Sequence, residues 1–326
     1  MTVQAEPPTS AAVGGATAPP AGRLPDFFIV GHPKCGTTAL HQMLSRHQQI
    51  HMPLKEPRFF APELRSRYRR LGPQRLPEAL DAYLELFAGA RPDQLAGEAS
   101  PQYLRSRTAA ARIADVQPTA RIIAILREPA SFLRSFHLQA VHNNVETVTD
   151  FAKAIALEDD RRAGRRVPLL SQAPAALLYS DHVRYVEQLR RFHAAFGAEQ
   201  VLVLIYDDFR ADNEGTVRRV LRFLDVDDSV PIEPIQTERL SAVRSPLLYR
   251  AGIAASLVRR RAFGGAPRAR RRLTPSPWQR LVFREPDPPD EALMRELRAR
   301  FKPEVVAVSE YLGRDLVSQW GYDAVA

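Results

Sequence analysis

Residues 29–40 read "IVGHPKCGTTAL", and this stretch decides the fold. The apolar run "PDFFIVG" (25–31) ends in glycine and predicts a buried strand. "TTALHQMLSRH" follows, with Leu40, Met43 and Leu44 on one helical face. Between strand and helix, Gly31 and Gly36 keep the spacing of the ATPase phosphate loop, G-x-x-x-x-G-K-[ST]. The lysine that should follow the second glycine is missing. Thr37 stands there instead, and Lys34 sits two places before Gly36. A glycine-rich turn into a helix aims backbone N–H groups at one spot, and the helix N-terminus adds partial positive charge. With the hydroxyls of Thr37 and Thr38 added, the turn predicts a phosphate ligand.

The strand–helix alternation continues outward. "LAGEASPQYL" (95–104) reads as a strand running into a turn, and "TAAARIADVQP" as a helix stopped by Pro118. "RIIAILREP" (121–129) is apolar throughout, as a central parallel strand should be, and a helix follows it. "SDHVRYVEQLRRFHAAFG" (180–197) predicts an amphipathic helix with Ser180 as N-cap and Gly197 as stop. "QVLVLIYDDF" (200–209) predicts a fourth strand, and "NEGTVRRVLRFLDV" a helix. "PPDEALMRELRARFKPEVVAVSEYLG" predicts a helix pair broken near Pro303. The whole predicts an α/β fold: a P-loop-like doubly wound sheet, its central parallel strands flanked by helices on both faces.

The chain has 326 residues, enough for one large domain, expected over 25–326 after a disordered Pro/Ala/Gly tail at 1–24. No apolar run is long enough to span a bilayer, and the first residues lack a signal peptide's basic start and apolar core, so a cytoplasmic protein is expected. Cys35 is the single cysteine, which excludes an internal disulfide and reads as a small loop residue, not a nucleophile. The net charge is +9, with only four lysines among 46 cations. A positive field favours anionic ligands. The segment 258–286 is basic and interrupted by glycine and proline, and reads as a surface excursion. Its part 258–272 offers a flank for an anionic membrane surface; nucleic acid is not an expected partner. Oligomeric state is not legible.

An ATPase needs an aspartate to hold magnesium, usually at the end of a neighbouring strand. Here "RIIAIL" ends in Arg127. A cation in that place argues for a second anionic group and against a metal. Ser135, eight residues on across a strand-to-helix corner, can face the same group. Such a site grips a nucleotide by two separated phosphates.

These residues carry a family resemblance. "PKCGTTAL" resembles the 5′-phosphosulfate loop of sulfotransferases that use 3′-phosphoadenosine 5′-phosphosulfate (PAPS). "LREPASFLRS" resembles their 3′-phosphate motif, and "KEPRFF" (55–60) resembles the Glu-x-x-Phe-Phe segment of the Golgi and bacterial branch related to heparan sulfate enzymes. The similarity runs from about residue 25 to about residue 225, with "GEASPQYL" and "VLVLIYDDF" in matching places. It implies PAPS as donor, PAP as product and no metal. It implies Pro33, Lys34, Cys35, Gly36, Thr37 and Thr38 around the 5′ end, and Arg127 and Ser135 at the 3′-phosphate. Arg239, Arg244 and Ser245 match, loosely, a loop that covers the cofactor. Lys34 would stabilise the leaving oxygen. Glu56 would be the general base, best served by a pKa raised through partial burial. His32 competes for that role but is expected to be structural or to contact phosphate, and His137 is left open. Glu98, Ser100 and Tyr103 fall near the acceptor mouth. Many heparan sulfate relatives have a lysine after this glutamate; here it is Ala99, which points to a smaller or less charged hydroxyl compound. Small-molecule, saccharide and lipid acceptors all fit. Two alternatives stand beside the enzyme reading: a P-loop kinase using ATP and magnesium, and a non-catalytic anion- or nucleotide-binding protein.

Overall fold

The computed structural model describes residues 22–53, 55–64, 76–143, 145–168, 171, 173–235, 242–245, 248, 251 and 281–325. Five parallel strands form one sheet in the order β2–β3–β1–β4–β5. They are β1 (Phe27–Ile29), β2 (Ile50–His51), β3 (Leu95–Ala99), β4 (Arg121–Leu126) and β5 (Val201–Ile205). β1 sits at the centre, pairing Phe28 with Glu98 on one side and Ile122 on the other. All three β1 residues are fully buried, as a parallel strand covered on both faces requires. Helices α1 (Thr37–Leu44) and α9 (Asn213–Phe223) pack together; so do α3 (Ala109–Val116) and α7 (Tyr185–Ala195). The remaining helices include α2 (Leu80–Leu84), α4 (Pro129–His142), α5 (Phe151–Ala156), α6 (Glu158–Arg162) and α8 (Tyr206–Ala211).

Three expected boundaries move, two because a distant partner outbids local sequence and one because burial does. Ser180 does not cap α7. It lies in a short 3₁₀ turn, where its hydroxyl donates to Glu158 at 2.7 Å and its amide donates to the same carboxylate at 3.0 Å. α7 therefore starts at Tyr185. β5 ends at Ile205, and "YDDF" opens α8, because Asp207 accepts from Trp320 and Asp208 from Arg314 and Gln319. The C-terminal pair is one helix, α10 (Glu291–Leu312), with Pro303 inside it. An interior proline costs about 3 kcal/mol. Met294, Leu297, Phe301, Val305 and Val308 are buried along one stripe of that helix, at roughly 1.5–3 kcal/mol for each large apolar side chain, and outweigh it.

A small antiparallel ribbon, β6 (Ala242–Val243) with β7 (Phe283–Arg284), packs through β6 against α4. The end of the expected surface excursion is thus sheet, while residues 252–280 lie outside the described residues. Of the expected tail, residues 1–21 also lie outside them; Leu24 packs against the core. Among the described residues no helix is long and apolar enough to cross a membrane.

Candidate functional site

The loop between β1 and α1 is built on two left-handed residues, Lys34 (φ 66°) and Gly36 (φ 81°). Gly36 must also be glycine for space, since a Cβ there would lie 2.9 Å from the Phe209 ring. Gly31 runs against β4, where a Cβ would come within 2.7 Å of the Ile125 amide nitrogen. Gly36 is the N-cap of α1 and supplies no side-chain acceptor, so the first-turn amides face the loop mouth uncapped by it. Thr37 is buried and Thr38 exposed. Pro33 is half-buried. Cys35 is fully buried, and burial pushes its thiol up to about 12, so it is no thiolate at neutral pH.

Arg127 stands at the C-terminal end of β4 and reaches the same loop. Its Nη1 donates to the Lys34 carbonyl at 2.8 Å, and its guanidinium lies 4.6 Å from the Tyr206 ring centroid. The adjacent Glu128 makes no pair with it. Glu128 caps α4, accepting from the amides of Ala130 (3.0 Å) and Ser131 (2.7 Å), and takes the Tyr322 hydroxyl at 2.6 Å. Two turns into α4, Ser135 is 2 % exposed, and its Oγ has no hydrogen-bond partner among the described residues. One turn further, Gln139 Oε1 accepts from Lys34 Nζ at 3.3 Å, while its Nε2 donates to Asn143 at 3.1 Å, which fixes the amide's orientation. Lys34 and Arg127 thus meet at one strand-end corner, and Ser135 lies one helical turn before the Gln139 that Lys34 reaches.

The Glu56 segment closes on this corner from the β2 side. Lys55 Nζ donates to Thr38 Oγ1 at 2.6 Å, tying the segment to α1. Glu56 (φ 64°) and Arg58 (φ 52°) are both left-handed, a conformation that costs a non-glycine residue of order 1–3 kcal/mol. Three bonds from the β3 side hold it. The Glu56 amide donates to Ala99 O at 2.9 Å, the Arg58 amide to Ser100 Oγ at 3.1 Å, and the Phe60 amide to the Tyr103 hydroxyl at 3.2 Å. Beneath, Glu98 accepts from Tyr83 (2.6 Å) and Tyr103 (3.0 Å). Glu98, Ser100 and Tyr103, expected at the acceptor mouth, are therefore buried and turned toward the underside of the Glu56 segment.

The expectation of a raised pKa at Glu56 is corrected. Burial alone would raise it, but the Arg58 guanidinium on one carboxylate oxygen and Lys55 Nζ 3.7 Å from the other hold it below the ordinary glutamate value. Arg58 was not foreseen in this role, although it stands two residues away. Gln139 was missed too; its place four residues after Ser135, on one helical face, was the available signal.

His32 is enclosed. Gln188 spends its amide nitrogen on the carbonyls of Asp181 and His182, so its Oε1 accepts from His32 Nε2 at 2.7 Å. Burial lowers the imidazole to about 3, and its rings' neighbours are Phe132, Tyr185 and His182. His137 faces the core, with Nδ1 2.9 Å from the Tyr179 hydroxyl and Nε2 3.1 Å from Thr149 O. Arg239 lies outside the described residues. Arg244 is exposed, and its amide donates to Val282 O at 2.7 Å; Ser245 is half-buried beside it, next to the ribbon that packs on α4.

A profile described as "Sulfotransferase family" matches residues 25–229. Carbohydrate sulfotransferase 15 of Homo sapiens is 25% identical over 258 residues, covering 62% of this chain and 44% of that protein. Heparan sulfate glucosamine 3-O-sulfotransferase 3B1 of Mus musculus is 25% identical over 202 residues, covering 62% of this chain and 46% of that protein. The match thus spans less than half the length of either relative. A solved sulfotransferase from Alicyclobacillus acidocaldarius shares the fold with a TM-score of 0.66 at 26% identity, covering 91% of this chain and 99% of that one. The matched stretch takes in the Lys34 loop, the Glu56 segment and the Arg127 corner together, and on it the chain belongs to the sulfotransferase family.

Proposed function

We propose that this chain transfers the sulfuryl group of PAPS to an acceptor hydroxyl. The observation that carries the reading is the Arg127–Lys34 corner. A strand-end guanidinium stands where a metal-holding carboxylate would stand in an ATPase, and it is joined to the phosphate loop by one 2.8 Å bond. Ser135 Oγ, buried and without a hydrogen-bond partner among the described residues, fits a phosphate oxygen as acceptor of its proton, and Arg127 offers a fork that suits the same group. Arg127 and Ser135 would hold the 3′-phosphate, and residues 33–38 the 5′ end. Arg244 and Ser245 would approach from the ribbon on α4.

Lys34 supports the oxygen that takes up negative charge as sulfur leaves it, moving its ammonium from Gln139 to that oxygen. Glu56 accepts the proton of the attacking hydroxyl. Arg58 and Lys55 keep that carboxylate ionised in the resting protein, which makes it ready but weakly basic. Withdrawal of Arg58 as the acceptor docks would restore its basicity. Glu98, Ser100 and Tyr103 position the Glu56 segment. The acceptor is a small-molecule, saccharide or lipid hydroxyl, and Ala99 in place of a lysine favours a sparsely charged one.

Calorimetry tests the donor half. 3′,5′-ADP is expected to bind in EDTA, and ATP to gain no comparable affinity from magnesium. Incubation with labelled PAPS and a metabolite library, read by mass spectrometry for an added sulfonate, tests the transfer. Metal-requiring ATP binding with no affinity for 3′,5′-ADP overturns the reading.

A further inference from the structure

A cleft of about 320 Å³ opens beside the β3 end of the sheet, between the segment after β3 and the start of α7. That volume suits a small ligand or one end of a larger one. Four arginines line it: Arg105, Arg107, Arg184 and Arg191. Most of the described arginines sit on a carboxylate, but not all of these four do. Among the described residues neither Arg105 nor Arg107 has a carboxylate within ion-pair distance. Arg105 gives one N–H to Ala175 O at 2.7 Å. Arg184 and Arg191 share the single carboxylate of Glu187, at 2.8 and 2.9 Å. Arg191 Nε is buried and has no partner among the described residues.

The acids on the wall are already engaged. Glu63 accepts from the hydroxyls of Ser106 and Thr108, and Asp181 pairs with Arg162 at 3.0 Å. The cleft therefore has guanidinium donors in excess of acceptors. Burial lowers Arg105 to about 10, against the pull of Asp181 and Glu63, so the guanidinium stays charged at neutral pH while poorly solvated. The pattern repeats the one at Arg127, whose Nη1 likewise donates to a backbone carbonyl. A half-desolvated guanidinium with spare donors is an anion site in waiting.

The cleft is linked to the phosphate loop by one buried contact. Gln188 lines it and holds His32 at 2.7 Å, two residues before Lys34. We propose that this cleft binds one anionic group, a carboxylate or a phosphate or sulfate ester, carried by the acceptor, at a site distinct from that of the adenosine bisphosphate. The acceptor clause rests on the sulfotransferase reading; the anion site does not.

The test is a calorimetric titration of inorganic phosphate into protein saturated with 3′,5′-ADP, at constant ionic strength against a chloride control. One phosphate is expected to bind. The exposed pair Arg107→Ala and Arg184→Ala, combined, is expected to weaken it about tenfold or more and to change 3′,5′-ADP affinity less than twofold. Arg105→Lys keeps the charge but loses the fork, and is expected to weaken phosphate severalfold. No binding beyond chloride, or equal binding by the double variant, overturns the site. If 3′,5′-ADP itself fails to bind, the sulfotransferase reading falls. The difference between the wild-type chain and the double variant, titrated with phosphate alone, still decides the cleft. In turnover assays, phosphate inhibition competitive with the acceptor supports the acceptor clause, and non-competitive inhibition overturns that clause alone.

Discussion

Arg127 Nη1 and the carbonyl oxygen of Lys34 lie 2.8 Å apart, joining residues 93 positions distant in sequence. The bond fixes the loop residue that carries the ammonium to the strand end that carries the guanidinium. It also uses the carbonyl of a residue in left-handed backbone, so the loop's shape and the arginine's position depend on each other.

Arg127→Lys keeps the charge and removes the fork. A lysine cannot both reach the Lys34 carbonyl and present paired donors to a phosphate. 3′,5′-ADP binding is expected to weaken about tenfold or more. Calorimetry on the wild type and variant checks this, and unchanged affinity would remove Arg127 from the donor site.

Lys34→Ala removes a charge placed where negative charge is expected to develop. Loss of such a group costs on the order of 10²–10³ in turnover. 3′,5′-ADP binding should suffer much less, because the loop amides remain. Gln139→Ala removes one acceptor of the resting ammonium and leaves the lysine in place. That variant should retain turnover within a few-fold, so single-turnover rates of the two variants separate lysine chemistry from lysine parking.

The fold was legible where burial writes itself into local sequence. β1 and β4 are covered on both faces, so both read as unbroken apolar runs. It was illegible where a remote side chain decided. Nothing near Ser180 announces Glu158, and nothing near Tyr206 announces Trp320 and Arg314. The site divides the same way. The nearness of Lys34 to Arg127 follows from loop and corner spacing, which the backbone dictates. The direction of Glu98 and Tyr103 depends on Tyr83, from another element. The lowered Glu56 pKa depends on two left-handed residues that bring Arg58 round onto the carboxylate.

Arg58→Ala tests that electrostatic clamp. Glu56 binds fewer protons folded than unfolded, so it favours folding above its unfolded pKa, and that contribution is lost as pH falls through its lowered folded pKa. Removing Arg58 should move the acidic limb of kcat/KM to higher pH. Glu56→Gln should lower turnover on the order of a hundredfold and flatten that limb. An acidic limb in the same place for the wild type and Arg58→Ala excludes the clamp.

His32 makes a second pH prediction, on stability. Its pKa is about 3 folded against 6.5 unfolded, because burial disfavours the imidazolium. Between those values the unfolded chain binds the extra proton, so stability falls as pH drops below 6.5 and levels off only below about 3. His182, also lowered by burial, adds to the same slope. Urea midpoints at pH 7 and pH 5 should differ less in His32→Asn than in the wild type. An equal difference would mean that the buried ring is not the source.

Ser100→Ala and Tyr103→Phe decide between two jobs for the β3 side of the site. Ser100 Oγ accepts from the Arg58 amide, and the Tyr103 hydroxyl accepts from Phe60 while donating to Glu98. Each change strips a buried partner from a strained segment, at about 1–3 kcal/mol of stability. If these residues position Glu56, kcat should fall about tenfold while acceptor KM and 3′,5′-ADP affinity hold, because misplacing a base costs turnover and leaves binding intact. If they touch the acceptor, as their place after β3 first suggested, KM should rise with kcat preserved. The burial of Ser100 and Tyr103, like that of Glu98, favours the first outcome. A rise in KM alone would show that the Glu56 segment opens far enough to admit the acceptor to them.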